Sequence, residues 1–213
     1  MYLLHRVRLS MGTRSRSDET TEAIMHATYR ALCEHGYPDT TISSIVAEFD
    51  KSKGLLYYHY EDKDDLLTDF LRYLLERFET KINEEMTGDP YETLVGLVDR
   101  ILPEQLDDDQ LRFRQAFFEI RSQAPHSTAY HDLIEQNDQL LQSELTNVIE
   151  RGVESGQFRS VDPERTADFI HSVLIGTMER GATLDDRELY RRNRQHVLRY
   201  IDRHLLEESS ATE

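Results

Sequence analysis

The chain has 213 residues, of which 38% are hydrophobic and 31% charged, and its formal net charge is −16. This composition is typical of a folded protein with a buried core and excludes an intrinsically disordered chain. No run is apolar over the roughly 18–20 residues that span a bilayer, and a single cysteine excludes an intramolecular disulfide and a cysteine-based metal site. We therefore expect a cytoplasmic protein with no metal or cofactor.

The hydrophobic pattern is helical along the chain, and no stretch alternates like a strand, which predicts an all-α fold. The first helix covers 18–35 and ends at Gly36. Thr41 then caps a short second helix, in TTISSIVAEF, and Ser52 caps a third, KGLLYYHY.

A long fourth helix opens with the capping pair Asp62 and Asp65 and keeps one apolar stripe for about 24 residues. Gly88 and Pro90 end it. Further helices are predicted at 91–102, 108–124, 127–155, 163–183 and 186–207.

Charge and lysine content single out the third of these helices. Residues 1–60 are balanced in charge, so the whole negative excess lies in 61–213. Only four lysines accompany 21 arginines, and three of the four, Lys51, Lys53 and Lys63, fall within KSKGLLYYHYEDK. An acidic chain with few lysines is typical of salt-loving organisms, and this stretch departs from that pattern.

The third helix has one inward and one outward face. If Leu56 faces the core, Tyr60 completes the buried stripe, and Gly54 and Tyr58 lie on the opposite side. That outer face combines a glycine that permits close approach, tyrosine hydroxyls, and Lys53 beside the positive end of the helix. Such groups contact phosphates in protein–DNA complexes. Two short helices joined by a short turn, with these groups on the outer face of the second, predict a helix-turn-helix motif.

Residues 18–78 resemble the DNA-binding domain of the TetR family of transcriptional regulators, with the helix-turn-helix at about 41–60. A first helix ending in HGY is followed by TTISSIV, SKGLLYYHY and KDDLL. The segment SKGLLYYHYEDKDDLL resembles the family signature S-K-G-x-L-Y-x-x-F-x-x-K-x-x-L. The turn departs from the family because it reads FDK where AGV is usual. Tyr60 also replaces the usual phenylalanine, and its hydroxyl needs a partner.

The resemblance implies which residues touch DNA. Phosphate contacts would come from Thr41, Lys53, Tyr57, Tyr58, His59 and Lys63. The residues that face or approach bases in the major groove would be Ser43, Ser44, Gly54 and Leu55.

The resemblance also implies a homodimeric repressor that binds a palindromic DNA operator and is released by an unidentified small molecule. A flexible arm, 1–17, would precede the DNA-binding domain. An effector-binding and dimerisation domain, 79–207, and a disordered tail, 208–213, would follow it. Candidate pocket residues on the apolar middle helices are Phe117, Phe118, Tyr130 and His131. The dimer surface is predicted on the last two long helices. Its residues would be Phe169, Ile170, Val173, Leu174, Gly176, Met178, Val197, Leu198, Ile201 and Leu205.

Other functions and details stay open. An enzyme is disfavoured because the chain has no G-x-S-x-G, P-loop, H-E-x-x-H or EF-hand motif, and no residues are assigned as catalytic. A helical protein-interaction module that has lost DNA binding is an alternative, since the acidic excess repels DNA. An activator without ligand-controlled repression is another. The sequence leaves open whether the first ten residues are a flexible arm that starts at Met1 or precede a true start at Met11.

Overall fold

The computed structural model describes residues 16–49, 53–85 and 88–207; the side chains of 16–18, 53 and 82–85 are not among the described groups. The described chain is helical, with one isolated antiparallel bridge between Phe158 and Leu206, and confirms the predicted all-α class. The helices are α1 (Arg16–Asp39), α2 (Ile42–Ala47), α3 (Lys53–His59), α4 (Lys63–Glu85), α5 (Pro90–Ile101), α6 (Asp108–Arg121), α7 (Thr128–Glu154), α8 (Pro163–Thr183) and α9 (Arg187–Tyr200). A 3₁₀ turn (Ala124–His126) precedes α7, and a π turn (Ile201–Leu205) follows α9.

The helix boundaries lie close to the predicted ones. The regular part of α1 stops at Gly36 as expected, because this residue has φ 69° and ψ 176°, and one further helical turn follows it. At its other end α1 begins at Arg16, two residues inside the segment predicted to be a flexible arm. Residues 1–15 and 208–213, predicted as arm and tail, lie outside the described residues.

The chain forms two compact units. The first contains the described residues up to Phe78 together with Asp107–Gln136, and the second contains Glu79–Leu106 and the described residues from Asn137 onward. Residues 107–136, which include α6, therefore pack with the helix-turn-helix segment, although the sequence analysis placed them in the effector domain. Periodicity identifies the buried face of α6 but not the helix that covers it.

A single apolar core holds the first unit together. It is built from buried residues of α1, α2 and α3, and buried residues of α4, α6 and α7 complete it. Side chains that are essentially fully buried there include Ile24, Ala27, Ala31, Leu32, Ile45, Leu56, Leu66, Leu67, Phe70, Ala116, Ile120 and Tyr130. This core fixes the two short helices on one side, and it thereby determines which of their residues face solvent.

The second unit is organised around α8 and α9. Tyr190 of α9 is only 1% exposed, lies against Gly181 of α8, and donates its hydroxyl to the carbonyl of Met178 at 2.9 Å. From α5, Asp99 accepts a hydrogen bond from Nε of Arg194 at 2.8 Å. These contacts attach α9 to two neighbouring helices of its own chain.

The apolar face of α9 and the following π turn is buried within the protomer. Val197, Ile201 and Leu205 are all buried, as are Ile170 and Leu174 on α8, so the assignment of these five residues to a dimer surface is wrong. The cause is that an apolar helical stripe looks the same in sequence whether it packs against its own chain or a partner. On α8, by contrast, Phe169 is 50% exposed, and its ring lies 5.0 Å from that of Tyr200.

Candidate nucleic-acid interface

The second helix is fixed by a capping box at its start. The backbone N–H of Ser44 donates to Oγ1 of Thr41 at 3.1 Å, and the backbone N–H of Thr41 donates to Oγ of Ser44 at 2.9 Å. The predicted cap at Thr41 is confirmed. Because the hydroxyl of Ser44 also donates to the carbonyl of Thr41, it is engaged within the turn, whereas Ser43 faces solvent. The capping box thus presents Ser43 at the exposed start of α2.

The third helix has the predicted orientation. Leu56 and Tyr60 are buried, and Tyr57 and Tyr58 are 58% and 84% exposed. The outer face of this helix also carries Gly54 and His59, with Leu55 half-buried beside them. Adjacent exposed tyrosine rings beside a glycine and a histidine form an aromatic and polar patch, which favours a role in binding.

The hydroxyls of Tyr57 and Ser43 lie 3.4 Å apart, so the outer faces of α3 and α2 meet. The structure thereby brings together most of the residues for which the resemblance implies DNA contacts. The side chain of Lys53 and the turn residues Asp50, Lys51 and Ser52 lie outside the described groups, so the FDK turn and the Ser52 cap are not described.

The hydroxyl of Tyr60 has the partner that the sequence analysis required. It donates to Oδ2 of Asp69 on α4 at 3.2 Å. Burial raises the pKa of this phenol, and the neighbouring Asp69 carboxylate raises it further, so the hydroxyl stays protonated as a donor. The tyrosine that replaces the family's usual phenylalanine therefore ties α3 to α4.

The fourth helix begins with the predicted aspartate pair. The backbone N–H of Asp65 donates to Oδ1 of Asp62 at 2.9 Å, and Oδ2 of Asp65 accepts from the N–H of Glu61 at 3.3 Å. This cap fixes the start of α4, where Lys63 is the first helical residue.

Lys63 is held by α1 rather than extended into solvent. Its Nζ donates to the carbonyl of Tyr37 and lies 4.1 Å from the centre of the Tyr37 ring. Partial burial lowers the pKa of Lys63, and the nearby acids Asp64, Asp39 and Glu119 oppose that shift. The sequence identified the lysine but gave no signal of this partner, which is 26 residues away.

Two contacts from α6 and α7 reach the same region of the first unit. Oε2 of Glu119 accepts a hydrogen bond from the backbone N–H of Tyr37 at 2.8 Å. The hydroxyl of Tyr130 donates to Oδ1 of Asp64 at 3.0 Å. Neither contact has a signal in the sequence, because side-chain hydrogen bonds between distant segments leave no periodic pattern.

The four predicted pocket residues do not share one environment. The rings of Phe117 and Phe118 are partly buried and meet edge to face, 5.6 Å apart. Tyr130 is buried with its hydroxyl on Asp64, whereas His131 is exposed and 3.3 Å from the Asp132 carboxylate. Tyr130 and His131 are consecutive on α7, so they project about 100° apart. Their assignment to an effector pocket stays a prediction.

Other types of site receive no support from the described part of the chain. There, no group of three or more His, Cys, Asp or Glu side chains is arranged to hold a metal ion. None of the described helices combines the length and apolar character needed to cross a membrane.

Two short helices on a common core, with a polar and aromatic outer face on the second, define a helix-turn-helix DNA-binding protein. The family description "Bacterial regulatory proteins, tetR family" matches residues 24–69, and "BetI-type transcriptional repressor, C-terminal" matches residues 90–206. The chain belongs to the TetR family of transcriptional regulators. Members of this family are regulators and not enzymes, which confirms that expectation.

Solved structures share the fold over most of the chain. A TetR transcription regulator from Haloarcula marismortui is 40% identical, covers 88% of this chain and 99% of its own, and has a TM-score of 0.79. Haloarcula marismortui is a halophile, in line with the acidic composition. A transcriptional regulator from Saccharomonospora viridis in complex with choline is 23% identical, with coverage of 90% and 100% and a TM-score of 0.76.

Characterised relatives are more distant in sequence. The transcriptional repressor AcnR of Corynebacterium glutamicum is 23% identical over 176 residues, which is 82% of this chain and 88% of AcnR. The transcriptional regulator BetI of Stenotrophomonas maltophilia is 24% identical over 186 residues, covering 85% of this chain and 90% of BetI.

Proposed function

We propose that this regulator is a repressor that binds a two-fold symmetric DNA operator as a homodimer and releases it when a small molecule binds. The observation that supports the proposal most directly is the outer face of α3. Tyr57 and Tyr58 are exposed there, and the Tyr57 hydroxyl lies 3.4 Å from that of Ser43 near the start of α2. A repressor acts on chromosomal DNA, which places it in the cytoplasm.

Each group on this face has a proposed role. We assign phosphate contacts to Thr41, Lys53, Tyr57, Tyr58, His59 and Lys63, and base contacts or close approach to Ser43, Ser44, Gly54 and Leu55. The two classes have different consequences, since phosphate contacts act on every DNA sequence and base contacts select among sequences. Ser44 is the weakest of the base contacts because the capping box already uses its hydroxyl.

The dimer is proposed to form through α8 with support from Tyr200. Phe169 is half exposed, and a built Cβ at Gly176 meets no atom within 4 Å, so this side of α8 has room for a partner helix. In a two-fold dimer each α3 reads one half-site. The half-sites then lie about one DNA turn apart, near 34–36 Å, or a multiple of that distance.

Choline is the first effector to test. The fold shared with a regulator solved in complex with choline supports this choice. A second solved regulator of the same fold, SmeT, was determined with triclosan, so an aromatic compound is the next candidate. Either ligand releases DNA only through a higher affinity for the protein conformation that does not bind DNA.

Selection of binding sites from random DNA tests the proposal without a known operator. Fluorescence anisotropy then measures the affinity of the wild type for the selected duplex and for a random duplex, from low to molar KCl. We expect selective binding, uniform weakening in Lys53→Ala and Tyr57→Ala, and altered base preference in Leu55 variants. Absence of selectivity at every salt concentration would contradict a sequence-specific regulator and favour the interaction-module alternative. Transcription from a reporter carrying the selected site distinguishes a repressor from an activator.

A further inference from the structure

The turn that leads from α1 into the helix-turn-helix is held by a residue of α6. Gly36 interrupts α1 with a positive φ, and the next residue, Tyr37, donates its backbone N–H to Oε2 of Glu119 at 2.8 Å. A Cβ built on Gly36 would lie 3.4 Å from the same oxygen, so the carboxylate sits directly against this turn. Glu119 therefore caps a turn that belongs to another helix, 82 residues away in sequence.

Tyr37 in turn holds Lys63. Its carbonyl accepts a hydrogen bond from Nζ, and its ring lies beneath the ammonium group at 4.1 Å. An ammonium group has three N–H donors, of which the Tyr37 carbonyl takes one. Tyr37 thus donates its N–H to Glu119 and accepts a hydrogen bond from Lys63 on its carbonyl, so this residue connects α6 to the start of α4.

We propose that Glu119 is a positioning residue for DNA binding: it fixes Tyr37, and Tyr37 holds the Lys63 ammonium where it meets a DNA phosphate. The inference rests on the phosphate contact proposed above for Lys63. It adds a residue that lies outside the DNA-binding match at 24–69 and inside the C-terminal match at 90–206. The DNA affinity then depends on a side chain of the C-terminal region that packs in the same compact unit as the helix-turn-helix.

The direction in which DNA affinity changes when Glu119 is removed distinguishes a positioning role from simple charge repulsion. Glu119 is an exposed acid, so its removal should strengthen DNA binding if it acts only by repelling phosphates. If it orients Lys63, its removal should weaken binding, because a mobile ammonium group loses freedom when it contacts DNA. The two effects have opposite signs, and a single dissociation constant distinguishes them.

The experiment is a double-mutant cycle on a labelled duplex of random sequence, since a phosphate contact needs no operator. Anisotropy across a KCl series gives the dissociation constants of the wild type, Glu119→Ala, Lys63→Ala and the double variant. Glu119→Gln keeps an acceptor oxygen for the Tyr37 N–H. Glu135→Ala removes an exposed acid from α7 in the same unit and controls for charge. Thermal unfolding checks that each variant is folded.

We expect Glu119→Ala to weaken binding about threefold to tenfold, and to have little effect once Lys63 is already alanine. The slope of log affinity against log salt should fall by about one per subunit in both single variants, because each loses the same phosphate contact. Glu119→Gln should bind nearly as the wild type does, and Glu135→Ala should bind as tightly or slightly more tightly.

The possible failures are distinguishable. If Lys63→Ala binds like the wild type, the phosphate role proposed for Lys63 is wrong, and the positioning role falls with it. If Lys63→Ala weakens binding but Glu119→Ala does not, only the positioning role is wrong. The same holds if Glu119→Ala weakens binding equally with Lys63 present and with Lys63 replaced by alanine, and leaves the salt slope unchanged.

Discussion

Replacement of Gly181 by alanine tests how α9 is seated on α8. A Cβ built at this position falls well inside van der Waals contact with Cε2 of Tyr190 and lies 2.7 Å from Cδ2 of the same ring. The ring has little room to move away, since it is buried and its hydroxyl is bonded to the Met178 carbonyl at 2.9 Å. Either that hydrogen bond breaks or α9 shifts from its position on α8.

The magnitude follows from two opposing effects. Insertion of a methyl group into a well-packed contact costs about 1–3 kcal/mol, and the higher helix propensity of alanine returns about 1 kcal/mol. We therefore expect the free energy of unfolding to fall by up to about 2 kcal/mol. For a chain of this length that corresponds to a decrease in Tm of up to about 8 °C. Loss of the Tyr190 hydrogen bond would bring the value towards the upper limit.

Urea unfolding followed by circular dichroism at fixed KCl and protein concentration measures this change, since dimerisation makes stability depend on concentration. Gly96→Ala in α5 is the control, because a built Cβ there meets nothing within 4 Å. That variant should gain about 0.5–1 kcal/mol from helix propensity alone. Equal stabilisation in both variants would refute the packing of Tyr190 described above.

Three further predictions concern the interface and the first unit. Tyr58→Phe should lower DNA affinity about tenfold with unchanged stability, because this side chain is 84% exposed. Tyr91→Phe, which loses a hydrogen bond in the second unit, should lower the stability measured by urea unfolding and leave the DNA affinity measured by anisotropy unchanged. Gly36→Ala and Gly156→Ala should each cost about 1–2 kcal/mol of stability because both glycines have positive φ, but only Gly36→Ala should weaken DNA binding. Burial raises the pKa of the Cys33 thiol to about 11, so iodoacetamide should alkylate the native protein far more slowly at neutral pH than the urea-unfolded chain; equal rates would contradict a buried thiol.

Local signals in the sequence predicted the local structure well. The Thr41 cap and the Asp62–Asp65 pair depend on residues a few positions apart, and both hydrogen-bond as expected. With Leu56 taken as the inward residue, the helical wheel correctly predicted that Tyr60 is buried and Tyr58 exposed, because helical periodicity alone sets which residues share a face.

Contacts between distant segments could not be predicted in the same way. The apolar stripe of α6 indicated burial, but the contact between Glu119 and Tyr37 joins residues 82 positions apart. Burial of Val197 and Ile201 inside the protomer similarly depends on which helix covers them. A sequence pattern specifies that a face is covered, and only the fold specifies the partner.

The proposed Lys63–phosphate contact offers a way for so acidic a chain to bind DNA in concentrated salt. At about 1 M salt the Debye length is about 3 Å, so the distant carboxylates behind the net charge of −16 barely repel DNA. The same screening reduces the gain from counterion release, and groups in direct contact with phosphate then supply most of the affinity. Lys63 is already partly desolvated against the Tyr37 ring, so less hydration remains to be lost when it meets a phosphate. If Lys63 contacts a phosphate as proposed, we expect the affinity in high salt to depend on how firmly Tyr37 is held, and much less on how many lysines the chain contains.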